Sequence, residues 1–137
     1  MSIQTQTTSF KAECWQAVHN LLTDTLKIAL YTGNATLDAS TTAYTTSNEV
    51  VATGYTAGGQ VLTGVTLSTD GYTVYVDFSD PTWAGSLTAR YALIYNASKA
   101  NRSVAVLDFG ADKTSVVAFT IQLPANTPTT ALLRSSN

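Results

Sequence analysis

The sequence predicts a mainly β protein, an antiparallel β-sandwich of jelly-roll or Ig-like type with one short N-terminal α-helix. Three observations point there. Apolar residues alternate with polar ones along several segments, turn-forming residues separate those segments at short intervals, and the one helical stripe stands near the start. A chain of 137 residues is about one domain, long enough to bury roughly 68% of its unfolded surface. Threonine is the most frequent residue, and only 12% of residues are charged, about half the usual share. The 45% hydrophobic content is too high for a polar tract that cannot collapse.

Residues 1–8, MSIQTQTT, are polar and aperiodic, and are expected to form a flexible N-terminal arm. A single sandwich domain is expected over residues 9–137. Phe10, Cys14, Val18 and Leu21 or Leu22 recur at spacings of three and four, with Trp15 beside them, so an amphipathic helix is expected from an N-cap at Ser9 to somewhere in 20–23. Leu26, Ile28 and Leu30 then alternate with Thr25, Lys27 and Ala29, which predicts a strand. Residues 32–58 read as a long loop. Strands are expected over 60–67, 72–78, 87–95, 102–109, 116–123 and 130–134, separated by turn-forming pieces such as Asp70-Gly71, Asp80-Pro81 and Gly110 to Lys113. Tyr91 to Tyr95 and Val104 to Leu107 are apolar on both faces, which predicts a position in the middle of the sandwich or beneath another subunit.

Charge and composition exclude several function classes. A net charge of −2 and a pI near 5.0, with Lys11, Lys27, Arg90, Lys99, Arg102, Lys113 and Arg134 scattered, give no footprint for direct nucleic-acid binding. No apolar run approaches the roughly 20 residues that span a bilayer, and the first residues lack the basic-then-apolar order of a signal peptide, so no membrane role is expected and assembly in a cytosol is. Cys14 is alone, so no internal disulfide forms. The sequons at Asn34, Asn96 and Asn101 are chance matches in a chain rich in Thr and Ser.

No catalytic residue, cofactor or metal is expected. His19 is the single histidine and would have to serve any Ser-His-Asp or Cys-His arrangement. On a helix it would stand five residues and about 500° beyond Cys14, so the two side chains diverge by roughly 140°. One Cys and one His cannot supply a structural zinc site. Asp77 and Asp80, with Asp108 and Asp112, could meet across the sandwich to bind Ca²⁺ or act as an acid/base pair; the same residues also suit ordinary turns. Gly54 to Gly59 lacks the Lys-Ser or Lys-Thr of a phosphate loop, and its glycines fit a tight turn.

Aromatic side chains on surfaces are the positive signal. Trp15, Tyr31, Tyr44, Tyr55, Tyr75 and Trp83 are the candidates for a protein interface, because Tyr and Trp cover apolar area while keeping a polar handle. Trp83 and Tyr91 also suit a sandwich core. So few surface charges suit a permanent assembly.

In order along the chain, Phe10-Lys11, the run Thr23 to Thr32, Ala35-Thr36-Leu37, Thr41 to Tyr44, Asn48-Glu49-Val50, Gly54 to Gly59, Phe78 to Trp83, Ala92 to Asn96 and Val106 to Gly110 resemble a set of small tailed-bacteriophage virion structural proteins. Some members of that set resemble capsid cementing or decoration proteins. The resemblance covers nearly the whole chain and implies no enzymatic activity. It implies a protein of the virion, assembled in the bacterial host cytoplasm, whose partners are the major capsid protein and neighbouring copies of itself. The alternatives are a tail, neck or fibre component with a binding surface at Tyr44 to Tyr55, and a carbohydrate-binding module that would use Trp83 or Tyr55.

Overall fold

Two strands that are apolar on both faces organise the molecule. In the computed structural model, which describes residues 3–136, these are β7 (Thr88–Asn96) and β8 (Arg102–Thr114). Around them stand β1 (Ile3–Gln6), α1 (Thr8–Trp15), β2 (Leu26–Tyr31), β3 (Gln60–Val61), β4 (Thr66–Asp70), β5 (Thr73–Asp77), β6 (Thr82–Ala84), β9 (Ala118–Thr120) and β10 (Leu133–Ser135). The main sheet runs β1-β8-β7-β2-β3, a second runs β10-β5-β4, and β6 pairs with β9. Every one of these pairings is antiparallel. The chain is therefore a mainly β sandwich with one short helix, as its alternation predicts.

Because successive side chains point to opposite faces, each central strand feeds two cores. On one face Leu26, Ile28, Leu30, Ala92, Ile94, Ala105 and Leu107 meet Val76 and Leu133 of the second sheet, Trp83 and Phe119 of the β6-β9 ribbon, and Phe10 of α1. On the other face Ala29, Tyr31, Leu93, Tyr95 and Val106 are covered by Ala35, Leu37 and Tyr44 from the 32–58 connection. That connection is a lid for the second face, held by Tyr44 N–H on Asn101 O at 2.9 Å and Ser103 N–H on Thr42 O at 2.9 Å. Burying a Leu, Ile or Phe in this way contributes roughly 1.5–3 kcal/mol each. Both faces of β7 are thus closed by the chain itself.

Several elements differ from the sequence expectation. The arm expected over residues 1–8 is an edge strand over Ile3–Gln6, with Ile3 opposite Asp108 and Gln6 opposite Ala105; residues 1 and 2 lie outside the described residues. Thr7, and not Ser9, caps the helix: its side chain accepts from Phe10 N–H at 3.3 Å with the backbone extended at φ −72° and ψ 149°. The helix stops at Trp15 because Ala17 takes φ +59°. Ala17 N–H then reaches Cys14 O and Val18 N–H reaches Glu13 O, the paired bonds of a Schellman ending. Val18 and Leu21 keep a helical spacing in sequence but lie past the helix.

The run 60–67 is two strands in two sheets, since Gly64 at φ +67° turns the chain between β3 and β4. The expected turn at Gly110 to Lys113 lies inside β8, whose far end pairs Lys113 with Ala89 and Thr114 with Thr88 after a register shift. The strand expected over 116–123 shortens to β9, with Val116 and Val117 exposed.

Candidate functional site

Two of the four tyrosines proposed for an interface, Tyr44 and Tyr55, converge on an interior carboxylate. Glu49, buried, accepts from Tyr44 Oη at 2.7 Å, from Tyr55 Oη at 2.5 Å and from Gly58 N–H at 2.8 Å. Tyr55 Oη also accepts from Leu30 N–H at 3.0 Å, Tyr31 Oη donates to Thr45 O at 2.7 Å, and Tyr95 Oη donates to Gly58 O at 2.6 Å. The rings of Tyr44 and Tyr95 stack 4.7 Å apart. Burial first, and then the Glu49 carboxylate, push the Tyr55 and Tyr44 phenols well above their ordinary range. These hydroxyls are therefore fixed donors that hold the lid loop onto the sheet. A reading of the sequence as single motifs misses Glu49, and its signal is a lone acid in a Thr- and Ser-rich stretch flanked by tyrosines.

As a consequence, Tyr31, Tyr55 and Trp83 do not serve as surface contacts, with exposures of 0%, 7% and 6%. Trp83 packs edge-on to Phe119 and near Tyr55, inside the first core. A glycan-stacking or receptor surface built from Tyr44 to Tyr55 or from Trp83 finds the rings of Tyr55 and Trp83 buried, and Tyr44 half-buried against Tyr95. Tyr75 is half-buried on the face of β5 opposite Val74 and Val76.

A second group is a chain of charged and polar side chains, buried at His19 and Asn96 and exposed at Arg102. Arg102 meets Glu13 Oε2 at 3.0 Å, Glu13 Oε1 lies 2.8 Å from His19 Nε2, and His19 Nδ1 lies 2.9 Å from Asn96 Nδ2. Asn96 donates onward to Asp24 at 2.8 Å, and Asp24 pairs with Lys99 at 3.0 Å. The order of partners assigns His19 as the neutral tautomer with its proton on Nε2. Its side chain is fully buried and both ring nitrogens are occupied. Burial opposes the charge on Asp24, but hydrogen bonds from Asn20 N–H, Asn96 and Lys99 outweigh it and hold the carboxyl at about 2. The cluster clamps α1 and the turn after it to the end of β7.

Three of the four aspartates proposed as a pair or a metal site are engaged by backbone N–H groups or by Arg90, and Asp80 lies near enough to Asp77 to raise its carboxyl alongside burial. Asp77 accepts from Phe78 N–H at 2.8 Å, Asp80 from Leu123 N–H at 2.9 Å, and Asp108 binds Arg90 at 2.9 Å and Gly110 N–H at 2.8 Å. Among the described residues no three His, Cys, Asp or Glu side chains are grouped to hold a metal ion.

A groove of about 540 Å³ lies between α1 and the second sheet. Helix α1 presents Phe10, Lys11, Cys14 and Trp15 on one face, spaced as i, i+1, i+4 and i+5. Val74 and Val76 of β5 form the floor, continued by Leu133 and Ser135 of β10, which stand opposite Val76 and Val74 on the same face. Gln6 closes one end, its Nε2 donating to Arg134 O at 3.0 Å and tying the edges of the two main sheets together. Trp15 is 92% exposed, the one tryptophan of the candidate set that faces solvent. Val74 at 42% and Leu67 at 49% extend the apolar floor outward, since Leu67 stands opposite Val76 on the same face. Although Cys14 is exposed as a residue, burial of its thiol and then the Glu13 charge raise its pKa, so it stays a protonated apolar contact at neutral pH.

Comparison of the chain with protein-family models, curated proteins and solved structures gave no match.

Proposed function

We propose that this chain is a structural protein of a tailed-bacteriophage particle, a capsid cement that binds and braces the lattice of the major capsid protein and acts by docking, not by catalysis. The observation that carries the reading is the open groove beside Trp15. Both faces of the central sheet are already closed by the chain's own residues, yet beside the core residues Phe10, Val76 and Leu133 the groove keeps a solvent-facing indole above an apolar floor. A large aromatic kept in water beside such a groove is the usual anchor of a protein interface. The ordered resemblance to phage structural proteins, from Phe10-Lys11 through Val106 to Gly110, supplies the setting. Weak contacts repeated across a lattice would brace the shell through multivalency.

The test is co-sedimentation with purified phage heads stripped of the protein. Wild type is expected to bind at saturating, lattice-like stoichiometry. Trp15→Ala, a change at a solvent-exposed side chain, is expected to keep the fold and lose binding by about tenfold or more. Full binding by that variant, or none by wild type, would contradict the proposal.

A further inference from the structure

Residues 16–23 form the return that follows α1, and their hydrogen bonds turn almost wholly inward. Gln16, Ala17 and Val18 N–H reach Glu13 O or Cys14 O, and Thr23 and Asp24 N–H reach Asn20 O. Leu22 N–H reaches Asn20 Oδ1, and Asn20 N–H reaches Asp24 Oδ2. Among the described residues one hydrogen bond joins this return to residues beyond 13–24, from Asn96 Nδ2 to His19 Nδ1 at 2.9 Å. Beside it Leu21 packs, half-buried, against the first core. Both flanks are anchored separately, Glu13 by Arg102 at 3.0 Å and Asp24 by Lys99 at 3.0 Å. The return is therefore a short flap closed by a single polar contact.

That contact has a fixed polarity. Asn96 Oδ1 accepts from Ser98 N–H at 3.0 Å and its Nδ2 donates to Asp24 at 2.8 Å, so only the amide NH2 can face His19. Nδ1 must then accept, while Nε2 donates to Glu13 at 2.8 Å. A proton at Nδ1 sets N–H against NH2, and turning the Asn96 amide would break both of its other bonds. The charged groups of the cluster leave no spare counter-charge, since Glu13 on α1 is paired with Arg102 of β8, and Asp24 with Lys99 of the β7-β8 turn. A cation on a side chain as buried as that of His19 is costly without one. We infer that His19 is an acid-operated latch: uptake of a proton at Nδ1 breaks the bond to Asn96 and frees residues 16–23 while the rest of the domain stays folded. The start of α1 remains pinned by the Thr7 and Ser103 hydroxyls, 2.9 Å apart. Asp24, its carboxyl held at about 2, remains ionised and keeps the far flank in place. Leu21 lines the groove and moves with the flap, so the latch reshapes the groove wall.

The latch is read out in the isolated chain and stands independently of docking. Nitrogen NMR of the His19 ring follows its proton state through a falling pH series, and amide exchange, corrected for its intrinsic pH dependence, follows the backbone. At neutral pH the ring is expected to carry its proton on Nε2. The step at which Nδ1 takes up a proton is expected to coincide with at least about tenfold faster exchange across residues 16–23. The amides of β7 and β8 and the indole of buried Trp83 are expected to stay native through that step. His19→Gln presents a donor at one end of its amide and an acceptor at the other, as the neutral ring does, and is expected to keep residues 16–23 protected over the same range. The wild-type series decides alone where that variant does not fold. Protonation of His19 with residues 16–23 unchanged would overturn the latch. So would a ring that stays neutral until Trp83 also unfolds, or equal loosening in a folded His19→Gln chain.

Discussion

His19 and Glu13 meet at 2.8 Å, Nε2 to Oε1, although they are six residues apart and lie on opposite sides of the helix ending. The left-handed Ala17 reverses the chain so that the histidine folds back under α1, its ring 5.0 Å from that of Phe10. This return packs Phe10 into the core, where it also borders the groove beside Cys14 and Trp15. The orientation of α1 therefore depends on a clamp of charged and polar groups, and several consequences can be measured.

The clamp makes stability sensitive to acid. The folded pKa of Asp24 is depressed from 3.8 to about 2, so its contribution is present above 3.8 and is lost as pH falls through about 2. Asp24→Asn is expected to be less stable than wild type at neutral pH and to show a shallower loss between those values. Denaturant unfolding followed at a series of pH values checks this.

The tyrosine box makes stability sensitive to base. Burial raises Tyr31, Tyr44 and Tyr55 above their ordinary value of 10.0. For these acids a raised folded pKa means that stability is intact below 10 and falls as pH climbs beyond it, where only the unfolded chain releases the protons. Phenolate absorbance from these residues is expected to appear together with unfolding and not before it. Phenolate formation by all seven tyrosines in a chain that keeps its far-ultraviolet dichroism would contradict the box.

The glycine at position 59 is required by backbone proximity. It sits at φ +77°, and a Cβ there would come within 1.8 Å of Ile28 O on β2. Gly59→Ala is expected to lower stability by about 3 kcal/mol or more through strain and displacement of the lid. Gly71→Ala provides a contrast: it meets nothing within 4 Å and costs about 1 kcal/mol, from its φ alone.

Residues 1–7 carry an edge strand and a helix cap. Thr7 is buried, with its hydroxyl 2.9 Å from that of Ser103. Deleting residues 1–7 is expected to destabilise the chain by about 3 kcal/mol, or about 10 °C in Tm for a chain of this size. A detached arm would leave Tm unchanged.

The parts of the fold that were legible in the sequence are those where burial alone decides. Leu26, Ile28 and Leu30 of β2 face one core as their spacing predicts, while Ala29 and Tyr31, on the other face, lie in the second core beside Leu93 and Tyr95 of the doubly apolar Tyr91 to Tyr95 run. The illegible parts depend on partners distant in sequence. The strand Ile3–Gln6 reads as polar because an edge strand needs backbone pairing with β8 more than apolar side chains. The helix end hides in an alanine whose left-handed φ has no sequence mark. Glu49 gathers Tyr44, Tyr55 and Gly58 only once the 32–58 segment lies on the sheet. Of the candidate interface residues, Trp15 stands in the open because the helix ends beside it, whereas Tyr31, Tyr55 and Trp83 complete the interior.

The central claim is that this domain docks on a capsid lattice through the groove beside Trp15. An electron cryomicroscopy map of mature particles tests it most directly. The account predicts many symmetry-related copies on the shell, each with α1 and β10 turned toward the major capsid protein and Trp15 covered. Absence of the protein from the particle, a handful of copies confined to the tail, or a groove facing solvent in every copy would contradict it.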